Sequence, residues 1–380
     1  MKIVFFINYK REVGGGSYAM FKFAEHLAKL GHNITVFTDL KPIFYRDYYL
    51  PTNLKLVYRG GISKLFKGSS RLDEIWDWIY FKIVVKQYVR VNRDIDFVVG
   101  FLRESAIKAA NIGKKYNIKT ANFIFESPPW MINQLGKRFL NEYKGKFKKS
   151  WERTRKAYQE TDILFPISNL TRRECIKWLK RRIEKPIYPG VEILFFNQNI
   201  KEENQVIYVG RLNEYKNINR IIEAFSKLKN PPKLVIVGTG EEEKKLKKLA
   251  NKLNVLCEFK GKLNDAEKWN EIQKSMFMVF PSSFEGFGMP PAEALVCKKP
   301  CICSDIPILK EVYTSKVEYF KTGNLKDLIK KIEFLLGHSE YRKKRGEEGR
   351  EYILSKYSWR KSAKRIENIL KKYKNGNYYQ

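Results

Sequence analysis

The sequence predicts an α/β protein made of two doubly wound, Rossmann-like domains, each built on a parallel sheet. Its 380 residues are too many for one compact α/β domain and suit two. Short apolar runs alternate with helical patterns along the chain, as they do in βαβ units. This alternation stops near residues 190–204, where the chain turns polar, and starts again at residue 205.

The first half contains five apolar runs of the kind that parallel sheets bury on both faces. They read KIVFFIN, NITVFT, DFVVGF, TANFIF and DILFPIS. Between the first two runs, residues 17–31 keep the apolar spacing of a helix, and Gly31 suits its C-terminal cap. We therefore expect a strand–helix–strand unit at the start of the chain.

The second half repeats this pattern with a new set of strands and helices. The expected strands read QVIYVG, KLVIVG, CEFKG, MFMVFP and PCICSD. The expected helices between them read NINRIIEAFSKLK, EEEKKLKKLANKL, NDAEKWNEIQKS and PAEALVC. A basic helix with an apolar stripe, SWRKSAKRIENILKKYK, follows near the C-terminus.

The composition is that of a folded and strongly basic protein. Apolar residues make up 43% of the chain and charged residues 30%, which argues against disorder. The formal net charge is +33, and both halves of the chain carry the excess of Lys and Arg. This charge indicates either anionic partners, such as a nucleotide or a lipid headgroup, or the lysine-rich proteome of a thermophile.

The sequence predicts a cytoplasmic location. Apolar runs are all shorter than a membrane span needs, and the first residues are too short an apolar stretch for a signal peptide. The five cysteines do not form a disulfide pattern, and Cys297, Cys301 and Cys303 lack the further ligands of a zinc site. We expect them to be buried small apolar residues in a reducing compartment.

A glycine cluster, Gly14-Gly15-Gly16, precedes the first helix. Together with Ala19 it fits the form G-x-G-x-x-A of a dinucleotide-binding turn. Such a turn follows its strand at once, however, whereas here several residues intervene after Asn8. We therefore expect a loop at a helix N-terminus whose backbone N–H groups approach a phosphate or a sugar.

A second candidate site opens the second half of the chain. The strand QVIYV ends at Gly210, and Arg211 and Lys216 follow before the next helix. Both cations thus emerge at the carboxyl end of a parallel strand, where open α/β sheets bind ligands. A guanidinium and an ammonium at such a place suit a diphosphate.

The third candidate site lies in the string PSSFEGFGMPPAE, residues 281–293. We expect Pro291 at the first helical position and Glu293 in the first turn, with Glu285 in the preceding loop. The N–H groups from Gly286 to Met289 and the helix dipole would form an anion site between the two carboxylates. Each carboxylate is suited to accept hydrogen bonds from sugar hydroxyls.

These motifs resemble the donor site of the retaining GT-B glycosyltransferases of family 4. The strings GRLNEYKN and EGFGMPPAE, with their E-x7-E spacing, are close to that signature. The glycine-rich first loop, ISNLTRRE and YPGVE extend the resemblance over nearly the whole chain. Mannosyltransferases of surface-polysaccharide and lipid-linked glycan pathways have strings similar to these at the corresponding places. After MFMVF the match is close to residue by residue, whereas before residue 190 it is loose.

The resemblance implies a GT-B fold with two Rossmann-like domains facing each other across a cleft. Residues 1–195 would bind the acceptor, residues 196–356 would bind the nucleotide-sugar donor, and a helix in residues 357–380 would cross back to the first domain. The implied activity is transfer of a hexose from a GDP- or UDP-sugar to a glycan or lipid-linked acceptor, with retention of anomeric configuration.

The resemblance also implies a role for each site residue. Arg211 and Lys216 would hold the donor diphosphate, Glu285 the hexose and Glu293 the ribose hydroxyls. The other implied donor contacts come from main-chain groups and from the glycine loops: Gly15, Gly16, Gly210, Phe287, Gly288 and Met289. Many relatives have a histidine that contacts the hexose after the fourth strand, whereas this chain has Glu126 there, an acceptor of hydrogen bonds.

We expect no metal or cofactor, because Arg211, Lys216 and a helix dipole would neutralise the leaving diphosphate. The D-x-D string of metal-dependent transferases does occur, at Asp94 and Asp96. These residues directly precede the strand FVVGF, however, so we expect them at the amino end of the sheet, away from the ligand side.

Two other functions remain open from the sequence. A nucleotide-sugar epimerase of the same architecture would need more acid–base groups than three histidines suggest. A basic nucleic-acid-binding module would explain the charge but not EGFGMPPAE, so we expect no nucleic-acid partner.

Residues 137–159 interleave Lys and Arg with large apolar and aromatic side chains. This pattern is typical either of a solvated helix with one docked face or of a surface that rests on anionic lipid. On the second interpretation the enzyme would be peripheral on the inner face of the membrane.

Overall fold

The structure, a computed structural model, describes residues 1–7, 15–38, 50–58, 80–135, 140 and 143–376, and only the backbone of residues 81, 82, 130, 133–135 and 146. The chain divides into two compact units. One unit comprises Met1–Ile132, Gly136–Gly190 and Trp359–Gln380, and the other comprises Asn133–Leu135 and Val191–Ser358.

The first unit contains a parallel sheet of six described strands in the order β3-β2-β1-β4-β5-β6. The strands are β1 (Lys2–Ile7), β2 (Asn33–Thr38), β3 (Leu54–Tyr58), β4 (Phe97–Phe101), β5 (Lys119–Ile124) and β6 (Ile163–Pro166). The central strand β4 is buried along its whole length, which explains its uninterrupted apolar run.

Helices connect these strands. They are α1 (Gly15–Lys29), α2 (Lys86–Val91) after a π-helical turn at Phe81–Val85, α3 (Leu102–Tyr116), α4 (Pro128–Leu135), α5 (Gly145–Glu160), α6 (Asn169–Leu179) and, from the end of the chain, α14 (Trp359–Lys374). Helix α14 packs on α1, where the Trp359 ring meets the Phe23 ring edge-on at 5.2 Å between centroids. The apolar stripe of the basic C-terminal helix is therefore buried within the first unit.

The second unit contains another parallel sheet, in the order β12-β11-β10-β7-β8-β9. Its strands are β7 (Gln205–Val209), β8 (Lys233–Val237), β9 (Cys257–Gly261), β10 (Phe277–Phe280), β11 (Cys301–Ser304) and β12 (Glu318–Phe320). Its helices are α7 (Ile218–Phe225) after a 3-10 turn at Glu214–Lys216, α8 (Glu243–Lys252), α9 (Asp265–Lys274), α10 (Met289–Val296), α11 (Pro307–Tyr313), α12 (Leu325–Gly337) and α13 (Ser339–Lys356).

In each sheet the described strands run outward in two opposite directions from one pair of neighbouring strands, so the strand order reverses between them. In the first unit this switch point lies between β1 and β4, and in the second between β7 and β10. The loops that leave the carboxyl ends of two such strands diverge to opposite faces of the sheet and leave a crevice between them. The fold therefore assigns one candidate ligand crevice to each unit.

The predicted fold class is confirmed: both units are doubly wound around parallel sheets. All ten predicted strands are present, and the structure adds β3 and β12. Strand β3 is half-exposed and contains a lysine, and β12 has only three residues. Neither presents the continuous apolar run by which a buried strand is recognised.

The prediction for the start of helix α10 was wrong by two residues. The helix begins at Met289 rather than Pro291, so Glu293 is its fifth residue and lies beyond the first turn. Gly288, at φ +86°, precedes it in the left-handed region. Because both prolines fit the first turn, where backbone N–H groups lack helical partners, their presence did not decide which residue begins the helix.

The basic stretch at residues 137–159 lies partly outside the described residues, which omit 137–139 and 141–142. Helix α5 forms its second part, and Trp151 and Tyr158 are 1% and 0% exposed within the first unit. These two aromatic side chains fill the space between α5 and its neighbours and are therefore not available to contact lipid headgroups. The charged side chains of Lys148, Lys149 and Arg153 are exposed.

The two aspartates of the D-x-D string lie just before β4, at the amino end of the first sheet. The Lys2 ammonium donates to Asp94 at 2.8 Å, and Lys374 pairs with Asp96 at 2.7 Å. Both carboxylates are thus engaged by lysines on the side of the sheet opposite its switch-point crevice.

The cysteines in the structure are free thiols, and four of the five are buried. Burial raises the pKa of the Cys175 thiol to about 12 and also raises the pKa values of Cys297, Cys301 and Cys303 above the ordinary range. These thiols therefore stay protonated and pack as small apolar side chains, as expected. Across the described ranges, His, Cys, Asp and Glu side chains form no group of three that could hold a metal ion.

Among the helices that the structure describes, none is both long and apolar enough to cross a membrane.

Helix α13 supports helix α10, which carries Glu293. The two helices pack closely because two glycines of α13 face α10 and the loop that follows it. A Cβ at Gly346 would lie 1.9 Å from the Lys298 carbonyl oxygen, and one at Gly349 would lie 2.4 Å from Leu295 Cδ2. Both glycines are therefore needed for close approach of the backbone.

We expect Gly346→Ala to destabilise the protein, although alanine is the better helix former by about 1 kcal/mol. The new methyl group must push the Lys298 backbone away, and overpacking of this kind costs about 1–3 kcal/mol. Gly337→Ala, at the end of α12, is the matched control, since a Cβ there meets no atom within 4 Å. Urea unfolding that ranks the two variants as equally stable would contradict this account of the α10–α13 contact.

Candidate functional site

The loop that follows β7 is held rigidly at the switch point of the second sheet. The Gly210 N–H donates to the Val237 carbonyl at 3.0 Å, and the Leu212 N–H donates to the Thr239 carbonyl at 2.9 Å. The Tyr208 hydroxyl donates to the Arg211 carbonyl at 3.0 Å. These bonds fix the backbone on both sides of Arg211 and thereby fix the start of its side chain.

Glycines allow this loop to pack against the loop that follows β8. Gly210 has φ +153°, and a Cβ there would lie 2.7 Å from the Tyr208 hydroxyl oxygen. A Cβ at Gly238, φ +133°, would lie 1.9 Å from the Gly210 carbonyl oxygen. A side chain at Gly238 would therefore push the two loops apart, and one at Gly210 would displace the Tyr208 hydroxyl.

The loop that follows β10 is tied to the β7 loop by hydrogen bonds. The Ser283 N–H and hydroxyl both donate to the Tyr215 carbonyl, at 2.9 and 3.0 Å. The Asn217 amide donates to the Pro281 carbonyl at 3.0 Å. The two loops that flank the switch point therefore form one hydrogen-bonded unit.

Lys216 and Glu285 meet between these loops as a buried ion pair. The Lys216 ammonium contacts Glu285 Oε1, and the two side chains are only 10% and 11% exposed. The ammonium also lies over the Tyr215 ring at 5.2 Å and the Phe280 ring at 5.3 Å from their centroids. In this low-dielectric setting the ammonium and the carboxylate attract each other strongly, and the two ring faces add cation–π attraction.

Arg211 lies at the more exposed end of the same loop. Its Nη2 donates to the Tyr215 hydroxyl at 3.0 Å. The guanidinium has donors beyond this bond, and its planar fork is suited to phosphate oxygens. Arg211 and Lys216 thus flank Tyr215 as two cations on one loop.

The N-terminus of α10 lies directly after the β10 loop. The Tyr313 hydroxyl donates to the Gly288 carbonyl, and a Cβ at Gly288 would lie 2.7 Å from Leu309 Cδ2. Phe287 is buried and packs edge-on against Tyr357 at 5.2 Å between ring centroids. These contacts fix the direction of the α10 N-terminus, whose dipole attracts anions. Pro290 and Pro291 have no backbone N–H, so in the first turn only Met289 and Ala292 carry one.

Glu293 is held by a partner that the sequence analysis missed. Lys268, on α9, donates to Glu293 Oε1 at 2.9 Å and to Asp265 Oδ1 at 3.0 Å. The side chains of Lys268 and Glu293 are 18% and 14% exposed. A capping box formed by Asn264 and Glu267 fixes the start of α9 and hence the position of Lys268.

Burial has opposite effects on the two charges of this pair. It raises the pKa of the Glu293 carboxyl, and Lys268 only partly counteracts this. Burial alone would lower the pKa of the Lys268 ammonium, but Glu293 and Asp265 raise it above its ordinary value. Lys268 therefore remains an ammonium, and it is the group that makes a buried carboxylate at Glu293 tolerable.

All the predicted donor-site residues of the second unit lie on the loops at its switch point or on α10. The sequence did not indicate that Lys216 pairs with Glu285 or that Lys268 pairs with Glu293. These partners are 69 and 25 residues apart. Only the helical spacing of Asp265 and Lys268, with the capping box before it, is visible locally.

The remaining predicted residues lie in the first unit. Gly15 begins α1, and a Cβ at Gly16 would lie 3.5 Å from the Phe125 ring. Glu126 follows Phe125 at the carboxyl end of β5. Gly16 and Glu126 are thus on the ligand side of the first sheet, whereas Gly14 lies outside the described residues.

Residues 191–352 match the family model described as "Glycosyl transferases group 1". This stretch includes the β7 loop, the β10 loop and α10. The match therefore covers most of the second unit, which is similar to these transferases, and the first unit lies outside the match.

Two relatives extend the comparison beyond the family model. An uncharacterized glycosyltransferase of Methanocaldococcus jannaschii is 24% identical over 98% of both chains. The O-antigen chain mannosyltransferase RfbU of Salmonella typhimurium is 33% identical over 39% of this chain and 44% of its own.

The crystal structure of Anabaena HepE, in complex with UDP and glucose, has the same fold. It is 13% identical in sequence, with a TM-score of 0.77 over 98% of this chain and 99% of that one. The chain therefore has the fold of the GT-B glycosyltransferases, in which the resemblance of its motifs had placed it.

We expect Lys268→Met to destabilise the second unit strongly, since it leaves Glu293 buried without its partner. Removing one member of a buried ion pair costs about 3–5 kcal/mol. Lys245→Met is the control, because Lys245 pairs with Glu242 at a similar distance, 2.8 Å, but its side chain is 76% exposed. We expect that variant to unfold at the same urea concentration as the wild type. A Lys268 variant as stable as the Lys245 variant would contradict the role given to Lys268.

Proposed function

We propose that this protein is a retaining glycosyltransferase that moves a hexose from a UDP- or GDP-sugar to a glycan or polyprenyl-linked acceptor. The family match over residues 191–352 supports the transferase class, and the UDP and glucose in the HepE crystal structure support a nucleotide-sugar donor. Relatives that are transferases favour this function over an epimerase.

The ion pair between Lys216 and Glu285 is the observation that carries the proposal. In a nucleotide sugar the β-phosphate is bonded directly to the anomeric carbon of the hexose. A site for it therefore needs a phosphate-binding cation next to an acceptor of sugar hydroxyl hydrogen bonds. Lys216 and Glu285 provide this combination at the switch point of the second sheet, where α/β folds bind ligands.

The donor diphosphate would be bound by Arg211, Lys216 and the N-terminus of α10. The two side chains bring positive charge, and the helix brings its dipole. Main-chain groups of Gly210, Phe287, Gly288 and Met289 would complete the phosphate and sugar contacts. These charges can stabilise the leaving diphosphate without a divalent ion, so we propose that the enzyme needs neither metal nor cofactor.

The ribose hydroxyls would bind to Glu293. Its Oε1 accepts from Lys268, so Oε2 is the oxygen that would accept from the ribose. Because burial raises the pKa of this carboxyl, the ribose contact should weaken as the pH falls toward that raised pKa, where the carboxyl becomes protonated.

The reaction would proceed on one face of the hexose. The bond from the anomeric carbon to the phosphate oxygen breaks with oxocarbenium-like character, and the acceptor oxygen bonds to the same face. The leaving phosphate oxygen takes the proton of the acceptor hydroxyl. Glu285 would orient the hexose by its hydroxyl groups, and the cations around the diphosphate would stabilise the charge that develops on it.

The first unit would supply the acceptor side of the reaction. Gly15 and Gly16 would present backbone N–H groups at the start of α1, and Glu126 would contact the hexose as an acceptor of hydrogen bonds. The similarity to the O-antigen mannosyltransferase supports a polysaccharide pathway, and we propose mannose as the first hexose to test.

Two variants separate the roles of the two glutamates. Glu293→Ala should weaken UDP or GDP binding by about 1.5–3 kcal/mol, the scale of a lost hydrogen bond to a charged group. Glu285→Ala should abolish turnover but preserve binding of the nucleoside diphosphate, because that product lacks the hexose. Calorimetric titration and a nucleoside diphosphate release assay measure the two effects, and activity should persist in EDTA. A folded Glu293 variant with unchanged nucleotide affinity would exclude it from the site.

We further propose that the enzyme works at the inner face of the membrane, through the basic surface in residues 137–159. The burial of Trp151 and Tyr158 leaves electrostatic attraction as the main contribution. Each Lys or Arg near an anionic bilayer contributes about 1 kcal/mol of binding free energy. The exposed Lys144, Lys148 and Lys149 are the candidates on this surface.

Changing these three lysines to glutamate should abolish salt-sensitive co-sedimentation with phosphatidylserine vesicles. The matched control changes Lys244, Lys248 and Lys252, three exposed lysines of α8 in the second unit. An equal loss of binding in both triple variants would indicate attraction by net charge alone. Full binding by the first triple variant, or none by the wild type, would exclude this membrane surface.

A further inference from the structure

The first sheet has its own switch point, and its chemistry differs from that of the second. Gly15 and Gly16 begin the helix that follows β1 in sequence, and Arg103 lies just after the carboxyl end of β4. These strands are neighbours, paired in parallel. Arg103 therefore lies beside the crevice in which a doubly wound sheet binds its ligand.

The backbone before Arg103 is strained. Leu102, the first residue of α3, has φ +49°, in the left-handed region that non-glycine residues rarely adopt. Phe101 before it is fully extended. A conformation of this kind costs a non-glycine residue about 1–3 kcal/mol. Here it turns the chain sharply, so that Arg103 follows the strand end by only two residues.

Two aromatic rings of α5 hold the Arg103 side chain. Its guanidinium carbon lies 5.1 Å from the Phe147 ring centroid and 5.8 Å from the Trp151 ring centroid. Stacking on aromatic faces restrains a guanidinium but uses none of its N–H donors. In the described part of the chain, Arg103 forms no ion pair that would use them instead.

Trp151 adds an unsatisfied donor to the same cluster. The residue is 1% exposed, and its Nε1 is buried without a hydrogen-bond partner among the described residues. The ring that carries this N–H is the one that contacts Arg103. Buried donors without a partner are uncommon in folded proteins, and a ligand is one reason for them.

Charged groups around this cluster influence the pKa of the Tyr158 hydroxyl. It is completely buried, and burial is the main reason that its pKa is raised, with smaller contributions from Cys175 and Glu126. Arg103 acts in the opposite direction. Both Arg103 and Glu126 are thus close enough to influence one buried group, and they bring a cation and an anion to neighbouring strand ends.

We propose that Arg103 and the Trp151 indole N–H form an anion subsite for the acceptor, which binds a phosphate or carboxylate group next to the hydroxyl that is glycosylated. The guanidinium fork would bind two oxygens of the anion, and the indole would donate to a third or share one of them. This inference rests on the proposed function in that it treats the first unit as the acceptor side. It differs from the donor site, which belongs to the second unit.

The anion has two chemical sources that an experiment can separate: a diphosphate on a polyprenyl carrier and the carboxylate of an acidic sugar. The probes are farnesyl diphosphate, methyl β-glucuronide and, as a neutral control, methyl β-glucoside. Each is titrated by calorimetry into the full-length protein already saturated with UDP, so that the donor site is occupied. UDP affinity itself is measured first for every variant.

The variants are Arg103→Gln, Arg103→Lys and, as the matched control, Arg173→Gln, an exposed arginine on α6 of the same unit. We expect one anionic probe to bind the wild type and the Arg173 variant alike and to bind the Arg103→Gln variant at least tenfold more weakly. Arg103→Lys keeps the positive charge but loses the planar fork of donors, so its affinity for the probe should lie between those of the wild type and the Arg103→Gln variant. It also tests the subsite if the glutamine variant fails to fold.

The outcomes distinguish the two proposals. Loss of farnesyl diphosphate binding on changing Arg103 supports the subsite and identifies a lipid-linked diphosphate, whereas loss of glucuronide binding supports it and identifies an acidic sugar. Equal binding of both anionic probes to wild type and Arg103 variants, or binding of neither, overturns the subsite. Failure of UDP and GDP to bind the wild type contradicts the proposed function. The binding of the anionic probes to the Arg103 variants still decides whether the anion subsite exists.

Discussion

The buried ion pair between Lys216 and Glu285 is the interaction on which the candidate site depends. Taking two charges out of water costs several kcal/mol per ion, and their attraction repays this cost only if the geometry is held closely. Neutral hydrogen bonds provide that geometry: Ser283 and Asn217 tie the β10 loop to the β7 loop. Gly238 lets the loop after β8 approach the β7 loop closely enough. Rigid loops thus bring a cation and a carboxylate together at the switch point.

Helix α10, which lies behind the site, is likewise held by close backbone contacts and by a buried ion pair. Helix α10 carries Glu293 and presents its N-terminus beside the ion pair, and it is positioned by close contact with the glycines of α13. Glu293 can remain ionised in the interior because Lys268 lies 2.9 Å away. Glu285 and Glu293 are therefore each paired with one lysine, and the two lysines come from different elements.

The two units use the same architecture for different chemistry. Each sheet has a single reversal of strand order, and each places charged or donor groups in the loops beside it. In the second unit the cation Lys216 is paired with a carboxylate, whereas in the first unit Arg103 is stacked on aromatic rings. A paired cation is neutralised until a ligand displaces or shares its partner. A stacked guanidinium keeps its donors available, which is the basis for assigning an anion to the first unit.

The sequence by itself determined the α/β class, ten of the described strands and the motif strings around Arg211, Glu285 and Glu293, because apolar periodicity and turn residues are local signals. It did not determine the short or half-exposed strands β3 and β12, whose apolar runs are interrupted, nor the residue at which α10 begins.

Tertiary structure alone decided the partners of the charged residues. Lys216 meets Glu285 across 69 residues, and Lys268 meets Glu293 across 25. It also decided that Trp151 and Tyr158 are buried, since the same amphipathic pattern suits a helix docked on a protein or on a membrane. Pairing and burial depend on which elements the fold makes neighbours, and no local pattern of residue types contains that information.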